Sequence, residues 1–284
     1  MRPRQWVKNG LIGVAPMAAG QLGNPTVMRH TIAAFLCFCC LASAIYLFND
    51  VRDIQADRHH PTKRYRAIAS GQVPVRSAAI AALVLATIAF AIPLFLGPSE
   101  GLLLVLGIYL AISLGYSLGV KNLVIIELGS VASGFFLRAY AGAVASHIPV
   151  STWFLVVISF GALFLVVGKR SSELKHVGGG ATRRVLAQYT PEFLHSALTM
   201  SATVAVTGYC LWAFDTSATG LSSYHHHIVP IRLTVVPVVY AILFIMRSAE
   251  AGDGDAPEEL LLHNRTVQIL GLVWAGLLFI GIYA

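Results

Sequence analysis

Charge is scarce in this sequence. Asp, Glu, Lys and Arg make up 12% of its 284 residues, about half the ~25% of a soluble globular domain. Hydrophobic residues make up 56%, and mean hydropathy is +0.72. That balance excludes a soluble enzyme or a nucleic-acid-binding domain, whose surface must be solvated on all sides. Cysteine is scarcer still: Cys37, Cys39, Cys40 and Cys210 all fall inside apolar stretches, which excludes a disulfide framework or a zinc ribbon. Cys37 and Cys40 have CxxC spacing, but on an apolar helix the pair reads as packing. No nucleophile–base triad, low-complexity tract or internal repeat is discernible. The GGG at 178–180 lacks the strand–loop–helix setting of a phosphate cradle. The HHH at 225–227 has no neighbouring carboxylate or Cys and reads as a solvated cluster rather than a metal site. No signal peptide is expected either, because MRPRQWVKNG leads into no h-region with a small-residue cleavage site.

What the sequence does have is long apolar runs. Spans are expected at about 30–50, 77–97, 101–118, 123–145, 152–168, 195–214, 231–247 and 266–284, each near the ~20 residues that cross hydrocarbon as a helix. A shorter run at 11–22 makes a ninth. Backbone groups in lipid must be satisfied within the segment, so the runs are helices and not loops or open sheets. The expected fold is an all-α integral membrane protein, one polytopic domain over 1–284 with nine transmembrane helices.

With the N-terminus placed in the cytoplasm, seventeen Lys and Arg fall on inner segments, against Arg29 and Arg232 outside and Arg138 within a span. Such a bias is the positive-inside signature. The net charge of +7 therefore belongs to cytoplasmic loops and implies membrane lipids and anionic substrates as partners, not nucleic acid.

The richest stretch follows the first long apolar run: NDVRDIQADRHHPTKRYRAIASG, residues 49–71. Asp50, Asp53 and Asp57 are spaced i, i+3, i+7, along one face of a helix, with Asn49 one turn before Asp53. Three carboxylates at a helix C-terminus repel one another and oppose the dipole, so they need a cation. An all-oxygen set suits Mg²⁺, which commonly bridges protein carboxylates to substrate phosphates. The competing reading, a juxtamembrane helix whose acids pair with Arg52, Arg58 and Lys63, is the less favoured. Lys63, Arg64 and Arg66 follow directly and suit a polyanion such as a pyrophosphate.

Glu127 and Arg138 lie in one expected helix. Eleven residues is close to three turns, so they share a face about 16 Å apart. Ionisable groups in a span face a bundle interior or a wet cavity. GKRSSEL (168–174) brings Lys169, Arg170 and Glu173 to the end of the next span as a second candidate phosphate clamp, with snorkelling as its alternative.

These residues carry a resemblance. NDVRDIQAD, then HPTKRYR and ASG, resembles the first aspartate motif of the UbiA superfamily of intramembrane prenyltransferases, nine-helix proteins with a cytoplasm-facing cavity. RPRQWVKN, LGVKNLVIIELGSVASGFFLRAYAGA, GKRSSEL, LWAFD and PEELLLHNRTVQ are similar to its actinobacterial phosphoribosyl-transferring branch. The resemblance implies transfer of 5-phosphoribose from phosphoribosyl pyrophosphate to decaprenyl (polyprenyl) phosphate, releasing pyrophosphate, for cell-wall arabinan synthesis. It implies Mg²⁺ at Asn49, Asp50, Asp53 and Asp57, and Asp50, Asp53, Asp57 and Glu127 as catalytic residues. It places Lys8, Asn9, Arg52, Lys63, Arg64, Arg66, Tyr116, Lys121, Arg138, Lys169, Arg170 and Glu173 around donor and phosphates. A cell-membrane location with the site on the cytoplasmic side follows, and assembly of several identical chains is compatible with it.

Two positions depart from the superfamily pattern. Ordinary members carry a second aspartate set where this chain has Glu127 and then Val131, which disfavours a prenyl diphosphate substrate. Ala67 stands where Pro is usual after the Arg. The rival readings are an aromatic prenyltransferase, which needs the full second aspartate motif, and a transporter or lipid-binding membrane protein. A transporter would have charges near mid-bilayer in several helices, or broken helices in related halves.

Overall fold

The structure is a computed structural model and describes residues 3–97, 100–175, 185–215, 228–251 and 264–283. The GGG at 178–180 and the HHH at 225–227 lie outside the described residues. Among those described, every regular element is helical, and eight helices are long and apolar enough to cross a membrane. They are Pro25–Arg52, Val75–Phe95, Glu100–Leu118, Ile126–Ala145, Thr152–Lys175, Pro191–Phe214, Ile228–Ala251 and Arg265–Tyr283. All four cysteines are free thiols.

The short run at 11–22 behaves differently. Pro3–Gly13 is a 3₁₀ helix, and only Val14–Ala18 (α1) is α-helical. The tighter coil rises ~2.0 Å per residue instead of ~1.5 Å, so the two pieces together reach about 30 Å, the thickness of a hydrocarbon core. Side chains hold it in that form. Trp6 Nε1 donates to Ser43 Oγ at 3.2 Å and Asn9 Nδ2 donates to Cys39 Sγ at 3.2 Å. Three residues of 3₁₀ helix thereby keep step with four residues of an antiparallel α-helix, each advancing about 6 Å.

The described residues form two compact units. The first takes residues 1–17, 21–118 and 137–148; the second takes 18–20, 119–136 and 149–284. In the first, α2 (Pro25–Arg52) is the central element. Its start is set by Pro25 at N1 and by Asn24, whose Oδ1 accepts from Thr26 N at 3.0 Å, a pairing that fixes φ and satisfies an otherwise orphaned amide. The expected single helix through the aspartates is interrupted at Asp53 (φ −90°, ψ 12°) and resumes as α3 (Ile54–His59). Asp53 N still donates to Asn49 O and Asp57 N to Asp53 O, so the break keeps the spacing of the acids. Leu47, Ile68 and Ala78, packed with Val51, Ile54 and Val73, hold the following loop between α2 and α4 (Val75–Ala91).

Also in the first unit are α5 (Glu100–Leu118) and residues 137–145 of α6 (Ile126–Ala145). There the 3₁₀ segment approaches α6 so closely that a Cβ on Gly142 would sit 1.8 Å from the Ile12 carbonyl oxygen. Backbone cannot yield there as a side chain can. Gly142→Ala is expected to cost about 3 kcal/mol or more, seen as a lower apparent Tm in detergent. Gly107→Ala, which meets nothing within 4 Å, leaves the Tm unchanged or raises it.

The second unit contains the first half of α6 with α7 (Thr152–Lys175), α8 (Pro191–Phe214), α9 (Ile228–Leu233), α10 (Val235–Ala251) and α11 (Arg265–Tyr283). Thr190 caps α8 by accepting from Phe193 N at 3.1 Å, with Pro191 at N1; Asn264 caps α11 through Thr266 N and Val267 N. Its core gathers Leu128, Phe164, Val167, Leu194, Leu198 and Ile245. Large apolar side chains such as Leu83, Leu104 and Leu272 are instead mostly exposed, the arrangement of a surface that meets lipid.

Candidate active site

In the first unit, the break at Asp53 and the loop after α3 bring one cation to two acids. Arg66 Nη1 donates to Asp57 Oδ2 at 2.6 Å and to Asp50 Oδ1 at 3.2 Å. The Asp57 side chain is only 5% exposed, Asp50 15% and Arg66 28%. Arg66 is fixed by the 3₁₀ turn Lys63–Tyr65, its own amide donating to Lys63 O at 2.9 Å. His60 Nδ1 accepts from Thr62 N, which sets the turn's entry. Asn49 and Asp53 lie half-buried beside the pair, and Lys63 and Arg64 are exposed on the turn. Arg64 donates to Tyr65 OH at 2.7 Å and lies over that ring.

One guanidinium nitrogen thus holds an oxygen of each of two carboxylates, an ion-paired cluster of hard oxygen donors. Among the described residues no group of three or more His, Cys, Asp or Glu is close enough to hold an ion unaided. Two hard oxygen ligands fit Mg²⁺, which retains waters and completes its shell with phosphate oxygens. Arg52, expected among the phosphate cations, instead donates to the carbonyls of Ser117 and Leu118. There it caps α5 and favours the negative end of that helix.

Deeper in the first unit, Arg138 is buried. Its Nε donates to Asn9 Oδ1 at 2.8 Å and its Nη2 to Tyr109 OH at 2.7 Å, with the guanidinium over the Tyr109 ring. Asn9 thus ties the 3₁₀ segment to both Arg138 and Cys39. Lys8 and Tyr116 are half-buried in the same unit.

The second unit holds a different arrangement. Glu127, 0% exposed, is gripped by Arg170 through Nε–Oε1 at 2.7 Å and Nη2–Oε2 at 3.0 Å. The third nitrogen, Nη1, donates to Glu173 Oε2 at 2.6 Å. A carboxylate buried this far from water needs such a bidentate partner. Glu127 therefore pairs across to α7, while its companion on the shared face of α6, Arg138, has partners of its own. Lys121 sits on the 3₁₀ turn Val120–Asn122, and Lys169 is half-buried beside Arg170.

Two residues that nothing in the sequence singles out complete this cluster. Ile125, just before α6, has φ 69°, an outlier for a β-branched residue that costs about 1–3 kcal/mol. Its amide donates to Tyr189 OH at 3.0 Å, and Glu127 lies within electrostatic reach of the same hydroxyl. Burial raises the Tyr189 phenol above its ordinary pKa, and Glu127 adds to the rise against the opposing pull of the Ile125 amide and Arg170. AQYTPEF reads in sequence only as a helix cap. Along α6 and α7 runs a mainly apolar groove of about 310 Å³ lined by Gly129, Ser133, Phe136, Ser159 and Leu163, among others.

An all-helical membrane architecture with an acid–arginine cluster at one helix end and a buried Glu–Arg–Glu set at another defines a protein built to handle anionic groups. The pattern of the UbiA prenyltransferase family matches residues 10–269, and the chain belongs to that family. It is 42% identical to decaprenyl-phosphate phosphoribosyltransferase of Corynebacterium glutamicum, over 100% of this chain and 85% of that one. The Mycobacterium tuberculosis protein of the same name is 41% identical over 96% and 90%. Among solved structures, the UbiA homolog from Aeropyrum pernix K1 superposes with a TM-score of 0.68 at 17% identity, covering 96% of this chain and 97% of that one. The Archaeoglobus fulgidus homolog bound to DMAPP and Mg²⁺ gives 0.68 at 16%, covering 99% and 95%. These establish the fold, and this chain is a multi-pass membrane protein.

Proposed function

We propose that this chain transfers 5-phosphoribose from phosphoribosyl pyrophosphate to decaprenyl phosphate at the cytoplasmic face of the cell membrane. The observation that carries the reading is Glu127 locked to Arg170. Where ordinary prenyltransferases of the family have a second aspartate set, this chain has a carboxylate already neutralised by a guanidinium. Asp50 and Asp57 remain as an acidic cluster among the described residues, and the names of the relatives support decaprenyl phosphate as acceptor and phosphoribose as the group transferred.

The reaction asks little acid–base chemistry of the protein. An oxygen of the lipid phosphate, already anionic, forms the new bond to ribose C1 while the C1–O bond to pyrophosphate breaks and its electron pair leaves with pyrophosphate. No general base is needed; catalysis lies in positioning and in stabilising charge on the leaving group. Asp50 and Asp57 would hold Mg²⁺, which when bound would neutralise charge on the leaving pyrophosphate. Asn49 and Asp53 border that ligand set, and Lys63, Arg64 and Arg66 offer cations to the phosphates. Arg170, held by Glu127 and Glu173, orders the end of α7 and so positions Lys169 beside it. The groove along α6 and α7 offers the acceptor's isoprenoid chain an apolar surface.

The test is transfer of label from phosphoribosyl pyrophosphate into the organic phase by purified protein in detergent, with decaprenyl phosphate and with or without Mg²⁺. Metal-dependent lipid-linked label is the expected result. No transfer, with activity instead from a prenyl diphosphate and an aromatic acid, would overturn the reading.

A further inference from the structure

The start of α6 is held in a rare backbone form. Ile126 N donates to Val124 O at 2.8 Å across Ile125, whose φ is 69°. That is a γ-turn with positive φ, the strained form of the turn. The Ile125 side chain is 59% exposed, so burial of that side chain does not explain the conformation. Yet the turn is integral to the helix: Ile125 O accepts from Gly129 N at 3.1 Å, and Glu127 N donates to Leu123 O at 3.0 Å. Amides at a helix start have no partner within the helix, and the Ile125 amide finds one in Tyr189.

Tyr189 is itself firmly placed. It is 5% exposed, packs with Val185, Leu186 and Leu194 in the core, and stacks on Phe193 at 5.8 Å. The next residue caps α8. One rigid hydroxyl therefore accepts from the strained turn that leads into Glu127 two residues further on. We propose that Tyr189 is a positioning residue that latches the left-handed turn at Ile125 and so fixes the first turn of α6, from which Glu127 grips Arg170. Its consequence for turnover rests on the reading above, in which Arg170 serves phosphoribosyl transfer.

The experiment compares Tyr189→Phe, Ile125→Gly and the double variant. Phe keeps the ring stacked on Phe193 and removes only the hydroxyl. Glycine adopts positive φ without strain and so needs no latch. Amide hydrogen exchange over residues 125–129, without substrates, is expected to quicken roughly tenfold in Tyr189→Phe. Turnover is expected to fall roughly tenfold in that variant, but less than about threefold when the same change is made on the Ile125→Gly background. Unchanged exchange in Tyr189→Phe, or an equal turnover loss on both backgrounds, would overturn the latch. If the unaltered protein transfers no phosphoribose, the functional reading fails and the exchange measurement alone decides the latch.

Discussion

Asp57→Asn is expected to lower phosphoribosyl transfer by roughly 10³-fold while leaving the fold intact. The side chain is 5% exposed and sits 2.6 Å from Arg66, so the isosteric amide preserves packing and removes only the charge. Asp50→Asn, whose carboxylate is farther from Arg66 at 3.2 Å and more exposed, is expected to act in the same direction with a smaller effect. Arg66→Gln separates two roles of this cluster. The guanidinium holds one oxygen of each acid, so its removal takes a competing cation away from Asp50 and Asp57. Mn²⁺ binding in the absence of donor, read by titration calorimetry, should then tighten roughly tenfold, a gain of about 1.4 kcal/mol. Pyrophosphate binding should weaken, because a phosphate cation is lost. Full turnover by Asp57→Asn would remove the metal role, and unchanged Mn²⁺ affinity in Arg66→Gln would remove the competition.

That cluster was largely legible in the sequence, for a physical reason. Acids at the end of an apolar run have no cheap structural explanation, and their i, i+3, i+7 spacing is local, so it persists through the break at Asp53. The eight long spans were legible for the same reason: twenty apolar residues in lipid leave the backbone no choice but a helix. The first segment was not, because its length follows from a 3₁₀ coil fixed by Trp6–Ser43 and Asn9–Cys39, contacts thirty or more residues apart. Distance in sequence also hid the partner of Glu127. Helical periodicity put Glu127 and Arg138 on one face, but three turns is too far for contact, and each found its partner elsewhere, in Arg170 and in Asn9 with Tyr109. Arg52 shows the converse limit. A basic residue beside acids reads as a phosphate ligand, whereas the carbonyl end of α5, which claims it, becomes visible only once the chain is folded.

The Glu127–Arg170–Glu173 set leads to an asymmetric expectation. In Glu127→Gln the guanidinium keeps Glu173 at 2.6 Å, so no charge is stranded; the protein should fold, with turnover lowered roughly 10²-fold because Arg170 is no longer held by two parallel bonds. Arg170→Gln is different in kind. Glu127, with its side chain 0% exposed, is left as a buried carboxylate without its cation, which costs about 3–5 kcal/mol and should show as a sharp fall in apparent Tm and in yield from detergent. The double variant Glu127→Gln with Arg170→Gln removes both charges together. Its stability should return most of the way to that of the unaltered protein, since a hydrogen-bonded amide pair replaces an ion pair, while transfer activity stays low because the bidentate clamp between α6 and α7 is gone. Recovery of Tm without recovery of turnover would separate the pair's structural work from its chemical work. Recovery of both would mean that Arg170 serves only to bury Glu127, and that the phosphates are held by the cations of the aspartate loop alone.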